Sequence, residues 1–194
     1  MNYSNQKNDL PKLSILAAVG SILFLVFLHV LSPEFAPSWR MVSEYANGNY
    51  KWALSLFFIL WGVSSCLLAV HLWKLVSNKK SRIGVVLLFI SGIGEISAAI
   101  FDVNHSLHGF AGLLGVPTLP VAALLISYGL TKREEWAPVK KEIIYSAHFT
   151  WITLAIMVVS MIVMMNGFLN AGIDFSKNAT PPETVPAGVI ALAG

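Results

Sequence analysis

The chain alternates between long apolar stretches and short polar connections. Five of the apolar stretches are each close to the roughly 20 residues with which an α-helix crosses a bilayer. They predict an all-α protein with a single domain, residues 1–194, in which the helices form a polytopic transmembrane bundle. The predicted spans are about 13–31, 52–76, 83–101, 105–128 and 145–169.

The last ten residues, 185–194, are also apolar but are too short to cross a bilayer. They follow a polar connection, residues 170–184, which contains the pair Pro181-Pro182. We interpret residues 185–194 as the start of a sixth helix and expect the natural chain to continue beyond them.

Composition indicates that lipid is the solvent of this chain. Hydrophobic residues make up 56% of the sequence and charged residues only 12%, whereas soluble domains carry about 25% charged residues. A single soluble core does not need such an excess of apolar side chains. The lipid bilayer is therefore the predicted partner, and the protein is predicted to be integral to the cell (inner) membrane.

Basic residues predict the orientation of the bundle. Lys and Arg near the ends of transmembrane helices are enriched on the cytoplasmic side. Most of these residues flank the same side as the amino terminus, which is therefore predicted to be cytoplasmic, with residues 33–51, 102–104 and 170–184 facing outward. Because topology explains the basic clusters, no nucleic-acid partner is indicated. Ten residues are on the inner side (Lys7, Lys12, Lys74, Lys79, Lys80, Arg82, Lys132, Arg133, Lys140 and Lys141) and three are on the outer side (Arg40, Lys51 and Lys177).

The third and fourth spans are separated by a short connection, residues 102–104, which predicts an antiparallel helical hairpin. Pro117 and Pro120 lie inside the fourth span and predict a kink, because proline has no N–H for the helical hydrogen bond. Small residues let helix backbones approach closely in membranes, and several of them predict close packing of this hairpin. These small residues are Gly94, Ala98, Gly109, Gly112 and Gly115.

Several titratable residues near these two spans are not explained by apolar packing. A carboxylate such as that of Glu95 costs about 2.5–3.5 kcal/mol or more at the bilayer centre, so we expect Glu95 to face into the bundle, protonated or paired. Asp102 follows on the same helical stripe. His105 and His108 begin the fourth span, and His29 reaches the same depth; these histidines are the expected partners of Glu95. The five are candidate catalytic residues of an outward-facing polar site between helices one, three and four.

The outward-facing site is hypothesised to act on a lipid or a small molecule. Arg40 and Glu44, from the loop after the first span, are its candidate substrate-binding residues. Two imidazoles and a carboxylate suit a divalent metal such as zinc. Asp102, His105 and His108 are therefore the candidate metal ligands.

Two other classes of function remain open from the sequence. His71 and His148, near the inner ends of the second and fifth spans, are a candidate ligand pair for a b-type haem, with His29 and His105 as a second pair on the outer side. A protein of this kind would be an electron carrier. The other alternative is a non-catalytic membrane scaffold or sensor. The sequence leaves open whether the protein is an enzyme.

Five short motifs stand in order at the predicted helix ends: His29-Val-Leu-Ser-Pro, Val42-Ser-Glu-Tyr-Ala-Asn-Gly, Phe101-Asp102, His108-Gly109 and Pro117-Thr-Leu-Pro-Val-Ala-Ala-Leu-Leu-Ile-Ser. Together they resemble the domain-of-unknown-function 998 family of small prokaryotic membrane proteins, which usually have six helices. The likeness extends from the first to the fourth helix. Prolines often flank the family's aspartate, whereas Phe101 and Val103 flank it here. The resemblance implies a sixth helix and brings no established activity.

Overall fold

A computed structural model describes residues 9–174 and 182–193, and every regular element within these residues is a helix. The predicted all-α fold is confirmed, and five helical stretches are long and apolar enough to cross a membrane. The helices are α1 (Leu10–Leu31), α2 (Lys51–Trp73), α3 (Lys79–Ile100), α4 (His108–Gly115), α5 (Thr118–Leu130), α6 (Lys140–Asn170) and α7 (Ala187–Ala193), with 3-10 helices at Val42–Asn47 and Glu134–Val139.

The helices begin and end where the local sequence favours it. Pro11 lies in the first turn of α1, where its missing N–H is not needed. Ser32, just before Pro33, caps the carboxyl end of α1. Asn78 caps α3, since its side-chain oxygen accepts a 2.9 Å hydrogen bond from the Ser81 N–H.

The fourth membrane-length stretch consists of two helices, α4 and α5, which are separated between Gly115 and Thr118. Pro117 and Pro120 have no N–H groups, so two carbonyls one turn earlier lose their helical hydrogen bonds. The kink expected from these prolines is an interruption of helical hydrogen bonding at Val116 and Pro117, which both keep right-handed helical backbone angles. We call it the α4–α5 break. It leaves backbone carbonyls near the middle of the stretch free to accept hydrogen bonds from side chains.

The helices pack largely in chain order. α2 lies against α1 and α3, α3 also packs against α4 and α5, and α5 packs against α6. We call the end with the connections 32–50 and 101–107 the loop end, and the end with Lys79 and Arg133 the basic end. Exposed apolar side chains cover α1 and α6, among them Leu16 and Leu169, as expected for surfaces in contact with lipid.

The connection between α3 and α4 is longer than the predicted residues 102–104, because α4 begins at His108. Two local hydrogen bonds hold the chain in turns before the helix. The Asp102 carboxylate accepts one from the Asn104 N–H at 2.9 Å, and the His105 ring accepts one from the Leu107 N–H at 3.1 Å. Side chains that bond nearby backbone in this way compete with helix formation.

Other connections also contain more structure than their polar sequence indicates. The 33–51 loop includes the 3-10 helix Val42–Asn47, and α6 begins at Lys140, before the predicted start of the fifth span at about residue 145. The predictions that involve Lys7 and Lys177 lie outside the described residues.

The apolar residues after 184 are helical over Ala187–Ala193, which is α7. Ile190 is fully buried, and it belongs to a cluster with Met164 and Phe168 of α6. Trp39, from the connection after α1, packs against the same cluster. The start of the expected sixth helix therefore lies at the loop end, between α6 and that connection.

Candidate functional site

Glu95 lies on α3 and points into the bundle, with only 5% of its surface exposed. Its two carboxyl oxygens have different serine partners. The Ser65 hydroxyl of α2 is 3.1 Å from Oε2, and the Ser91 hydroxyl, one turn earlier on α3, is 3.1 Å from Oε1. Ser91 Oγ is also 2.7 Å from the carbonyl oxygen of Gly115, at the end of α4. We call Ser65, Glu95, Ser91 and Gly115 the Glu95 cluster.

Glycines allow the three helices to approach closely around the Glu95 cluster. A Cβ at Gly94 would lie 2.4 Å from the Gly115 nitrogen, and a Cβ at Gly62 would lie 2.4 Å from the Gly92 carbonyl oxygen. The expected close packing of helices three and four therefore rests on Gly94, which lies against the Gly115 backbone. Gly109 and Gly112 face open space instead, with nothing within 4 Å of an added Cβ.

Counting protons shows which form of Glu95 the cluster accommodates. A serine hydroxyl has one proton, and Ser91 lies closer to the Gly115 carbonyl than to Glu95. When Ser91 donates to Gly115, a lone pair of its oxygen faces Glu95 Oε1. A neutral Glu95 carboxyl can donate there while it accepts from Ser65, so every polar atom is satisfied. An ionised carboxylate leaves either the Gly115 carbonyl or its own Oε1 without that proton.

Asp102 has a different environment at the loop end. Its carboxylate forms an ion pair with Lys51, the first residue of α2, and also accepts from the Asn104 N–H. The Asn104 amide donates to Asn47 at 2.8 Å, which ties together the two connections of the loop end. The hydrogen bond from Lys51 holds the pKa of Asp102 below its usual range.

His29 is bound to a tyrosine rather than to Glu95. Its Nδ1 is 2.6 Å from the Tyr45 hydroxyl, which also donates to the Phe35 carbonyl at 3.0 Å. Tyr45 is almost completely buried. Burial, and then the negative charge of Glu34, raise the pKa of its phenol. These contacts fix the 33–51 loop on the end of α1.

Arg40 and Glu44, the candidate substrate-binding residues, bind each other. An Arg40 guanidinium nitrogen lies 3.1 Å from Glu44 Oε1, and the Met41 N–H donates to Oε2 at 2.8 Å. The Glu44 carboxylate is buried by these contacts. Both oxygens are occupied, so the pair shapes the start of the 3-10 helix.

The candidate metal ligands Asp102, His105 and His108 do not converge on one point. Asp102 faces Lys51, and His108 Nδ1 lies 2.8 Å from the Phe101 carbonyl oxygen. Within residues 9–174 and 182–193, no group of three or more His, Cys, Asp or Glu side chains is close enough to hold a metal ion. The reason is the turn at 102–107, which places His105 before the helix instead of one turn from His108 on the same face.

Two of the histidines considered for haem have tyrosine partners. His148 Nε2 is 3.0 Å from the Tyr128 hydroxyl, and His29 has Tyr45 as its partner. The two best-formed cavities of the described chain have volumes of about 390 and 190 Å³, and no histidine lines either of them. The haem alternative, with His71 and His148 or His29 and His105 as ligands, stays a prediction.

The polar residues predicted from the sequence thus lie in two regions, the loop end and the core of the bundle. Glu95 belongs to the bundle core, with no histidine among its hydrogen-bond partners. Its actual partners, Ser65 and Ser91, were missed. Ser91 could have been found, because it lies four residues before Glu95 and so on the same helical face. Ser65 had no such signal beyond being polar within an apolar span.

Five membrane-length helices with an acid held among hydroxyl groups in the core define a multi-span helical membrane protein. The chain belongs to the DUF998 family, described as "Protein of unknown function (DUF998)", which matches residues 15–193. The resemblance based on the motifs is therefore confirmed, and the match extends it beyond Ser127 into α7. Searches of curated proteins and of solved structures found no match.

Proposed function

We propose that this is a proton-coupled membrane protein in which Glu95 binds and releases the proton. The observation that carries the proposal is the Glu95 cluster, which has a place for one proton on a carboxyl buried within a membrane-length helix. Ionisable residues at such depth are rare and costly, and they commonly serve in proton relays and ion pathways.

The break between α4 and α5 provides the element that a change in protonation would move. Ser91 links Glu95 directly to the Gly115 carbonyl. The Thr118 hydroxyl lies 3.2 Å from that carbonyl but is closer to the Leu114 carbonyl, to which it donates. When Glu95 loses its proton, Ser91 is drawn to donate to the carboxylate, and the Gly115 carbonyl loses the hydrogen bond from Ser91. Discontinuous membrane helices are common at ion and substrate sites, because their free backbone groups can change partners.

Of the residues expected to form an outward-facing site, only Glu95 keeps a functional role here. Asp102, His29, Arg40 and Glu44 are engaged with partners in the two connections of the loop end. These four residues hold the loop end together. A lipid or small molecule would instead be transported or sensed by a step coupled to the proton on Glu95. A scaffold without proton coupling remains the competing class, and it requires no response at the α4–α5 break.

Hydrogen–deuterium exchange of the reconstituted protein tests the proposal. The exchange of peptides that cover residues 108–120 is compared between wild type and Glu95→Gln at several pH values. Glutamine keeps the shape of the neutral acid and can donate to Ser91, so it should hold the protonated arrangement. We expect wild type to match the variant at low pH and to exchange faster than the variant at high pH.

The comparison is made at each pH, so the intrinsic pH dependence of exchange cancels. A matched control is Asp102→Asn, which removes an acid from the connection between α3 and α4 but leaves the Glu95 cluster intact. Equal exchange of wild type and Glu95→Gln across the whole pH range would reject proton coupling through Glu95 and favour the scaffold.

A further inference from the structure

The basic end of the bundle contains a groove between α2 and α3 that combines cations with an apolar floor. It has a volume of about 390 Å³. Its polar lining consists of Ser77, Lys79 and Arg82, and its apolar lining includes Trp73 and Val86. This groove lies at the opposite end of the membrane helices from Asp102, and it shares no residue with the Glu95 cluster.

The two cations of the groove, Lys79 and Arg82, lie on one side of α3 at the edge of the groove. Lys79 and Arg82 are three residues apart, so they lie on the same helical face. The Arg82 guanidinium lies 5.6 Å from the centre of the Trp73 ring, a cation–π contact across the groove. Both are in the first turn of α3, where the helix dipole adds positive potential.

No ion pair among the described residues neutralises the positive charge of Lys79 and Arg82. The ion pairs within residues 9–174 and 182–193 join Arg40 to Glu44, Lys51 to Asp102 and Arg133 to Glu135. Neither Lys79 nor Arg82 takes part in one. The groove therefore presents two uncompensated cations beside a half-exposed tryptophan, a residue typical of the membrane interface.

The apolar part of the groove continues along α2 and α3 towards the midpoint of their length. A second cavity, about 190 Å³ in volume, shares Trp73 and Val86 with the first and extends to Val70 and Phe89. Arg82 and Phe89 are seven residues apart, which is about 10 Å along a helix. Cations at the rim and a continuous apolar channel below them match an anionic headgroup with an attached acyl chain.

We propose that this groove binds an anionic glycerophospholipid. Arg82, Lys79 and the Ser77 hydroxyl hold the phosphate, and one acyl chain lies along Trp73 and Val86 towards Phe89. A free phosphate ion would use the rim but leave the apolar channel empty, so the lipid is the ligand that matches the whole groove.

Native mass spectrometry of the full chain in detergent tests this with three probes: phosphatidylglycerol, phosphatidylcholine and inorganic phosphate. We expect wild type to retain phosphatidylglycerol in preference to the other two. The double variant Lys79→Gln/Arg82→Gln should bind it roughly thirtyfold more weakly, the loss expected for two juxtamembrane cations. The matched control Lys140→Gln/Lys141→Gln removes the same charge from the start of α6, outside the groove, and should bind as wild type does.

A second variant keeps the charges and fills the channel. Val86→Trp should weaken phosphatidylglycerol binding, whereas Val159→Trp, on the exposed surface of α6, should not. If the two double variants lost phosphatidylglycerol binding equally, the lipid would be attracted by overall positive charge and not by this groove. That result would overturn the proposal. Binding of inorganic phosphate as tight as that of phosphatidylglycerol, or unchanged lipid binding in Val86→Trp, would overturn it as well.

Discussion

Glu95 and Asp102 are seven residues apart in the chain, but their carboxyl groups have opposite kinds of partner. Asp102 lies beyond the end of α3 and faces a cation, Lys51. Glu95 lies within α3 and faces two serine hydroxyls, with no cation among its partners. The environment of Asp102 stabilises a negative charge. In the environment of Glu95, every polar atom has a hydrogen-bond partner when the acid is neutral.

The difference shows that depth in the bundle, rather than residue type, determines what an acid can do in this protein. At the loop end, water and Lys51 keep a carboxylate charged at little cost. In the core, hydroxyl groups offer hydrogen bonds but no compensating charge, so the acid is a place where a proton binds. The structural acid and the proposed functional acid can thus be separated by substitution.

Gly94→Ala should have the largest effect, because it separates the helices that form the Glu95 cluster. The added Cβ would lie 2.4 Å from the Gly115 nitrogen, and overpacking of this kind costs about 1–3 kcal/mol. Gly112→Ala is the matched control, since its Cβ meets open space and alanine favours the helix. Thermal unfolding in detergent measures both, and equal stability of the two variants would contradict the close contact.

Ser91→Ala removes the link between Glu95 and the α4–α5 break. The Gly115 carbonyl and Glu95 both lose a partner in a buried site, which costs about 1–3 kcal/mol. In Ser97→Ala, the lost hydroxyl donated only to the Ile93 carbonyl of its own helix, so the stability should change by no more than about 0.5 kcal/mol. A Ser91 variant as stable as the Ser97 variant would mean that the link is not formed.

Tyr45→Phe tests the loop end, where polar groups are structural in this account. The substitution removes hydrogen bonds to His29 and Phe35, and we expect a loss of about 1 kcal/mol in the free energy of unfolding. Tyr145→Phe is the control, because Tyr145 is 70% exposed and should be insensitive. The exchange behaviour at residues 108–120 should stay that of wild type in both variants.

Asp102→Asn should have a smaller effect that depends on pH. The Lys51 side chain is 51% exposed, so the pair should contribute less than about 1 kcal/mol. The pKa of Asp102 is lowered in the folded protein. Its contribution is therefore present above the ordinary aspartate pKa of about 3.9 and lost as the pH falls below it. Unfolding measured from neutral to acid pH should show wild type losing its advantage over the variant, and an advantage that grows in acid would contradict the pairing.

The fold followed from the sequence because the length of an apolar stretch reports directly on a membrane helix. A kink in the fourth span also followed from the sequence, because the missing N–H of Pro117 acts locally. The Ser65 partner of Glu95 was not predicted, because it depends on which face of α2 turns towards α3. The His105 position was missed because local hydrogen bonds in the turn outweighed the helical pattern.

Infrared spectroscopy of the protein in a detergent without ester or carboxyl groups tests the central claim most directly, because a neutral carboxylic acid has a carbonyl stretching band that carboxylates lack. At neutral pH, we predict this band in wild type and in Asp102→Asn, and we predict its loss in Glu95→Gln. The band should also shift in deuterated water and decrease in alkaline buffer. A spectrum in which Glu95→Gln loses carboxylate absorption and leaves the carbonyl band unchanged would mean that Glu95 is ionised, and it would contradict the proton site.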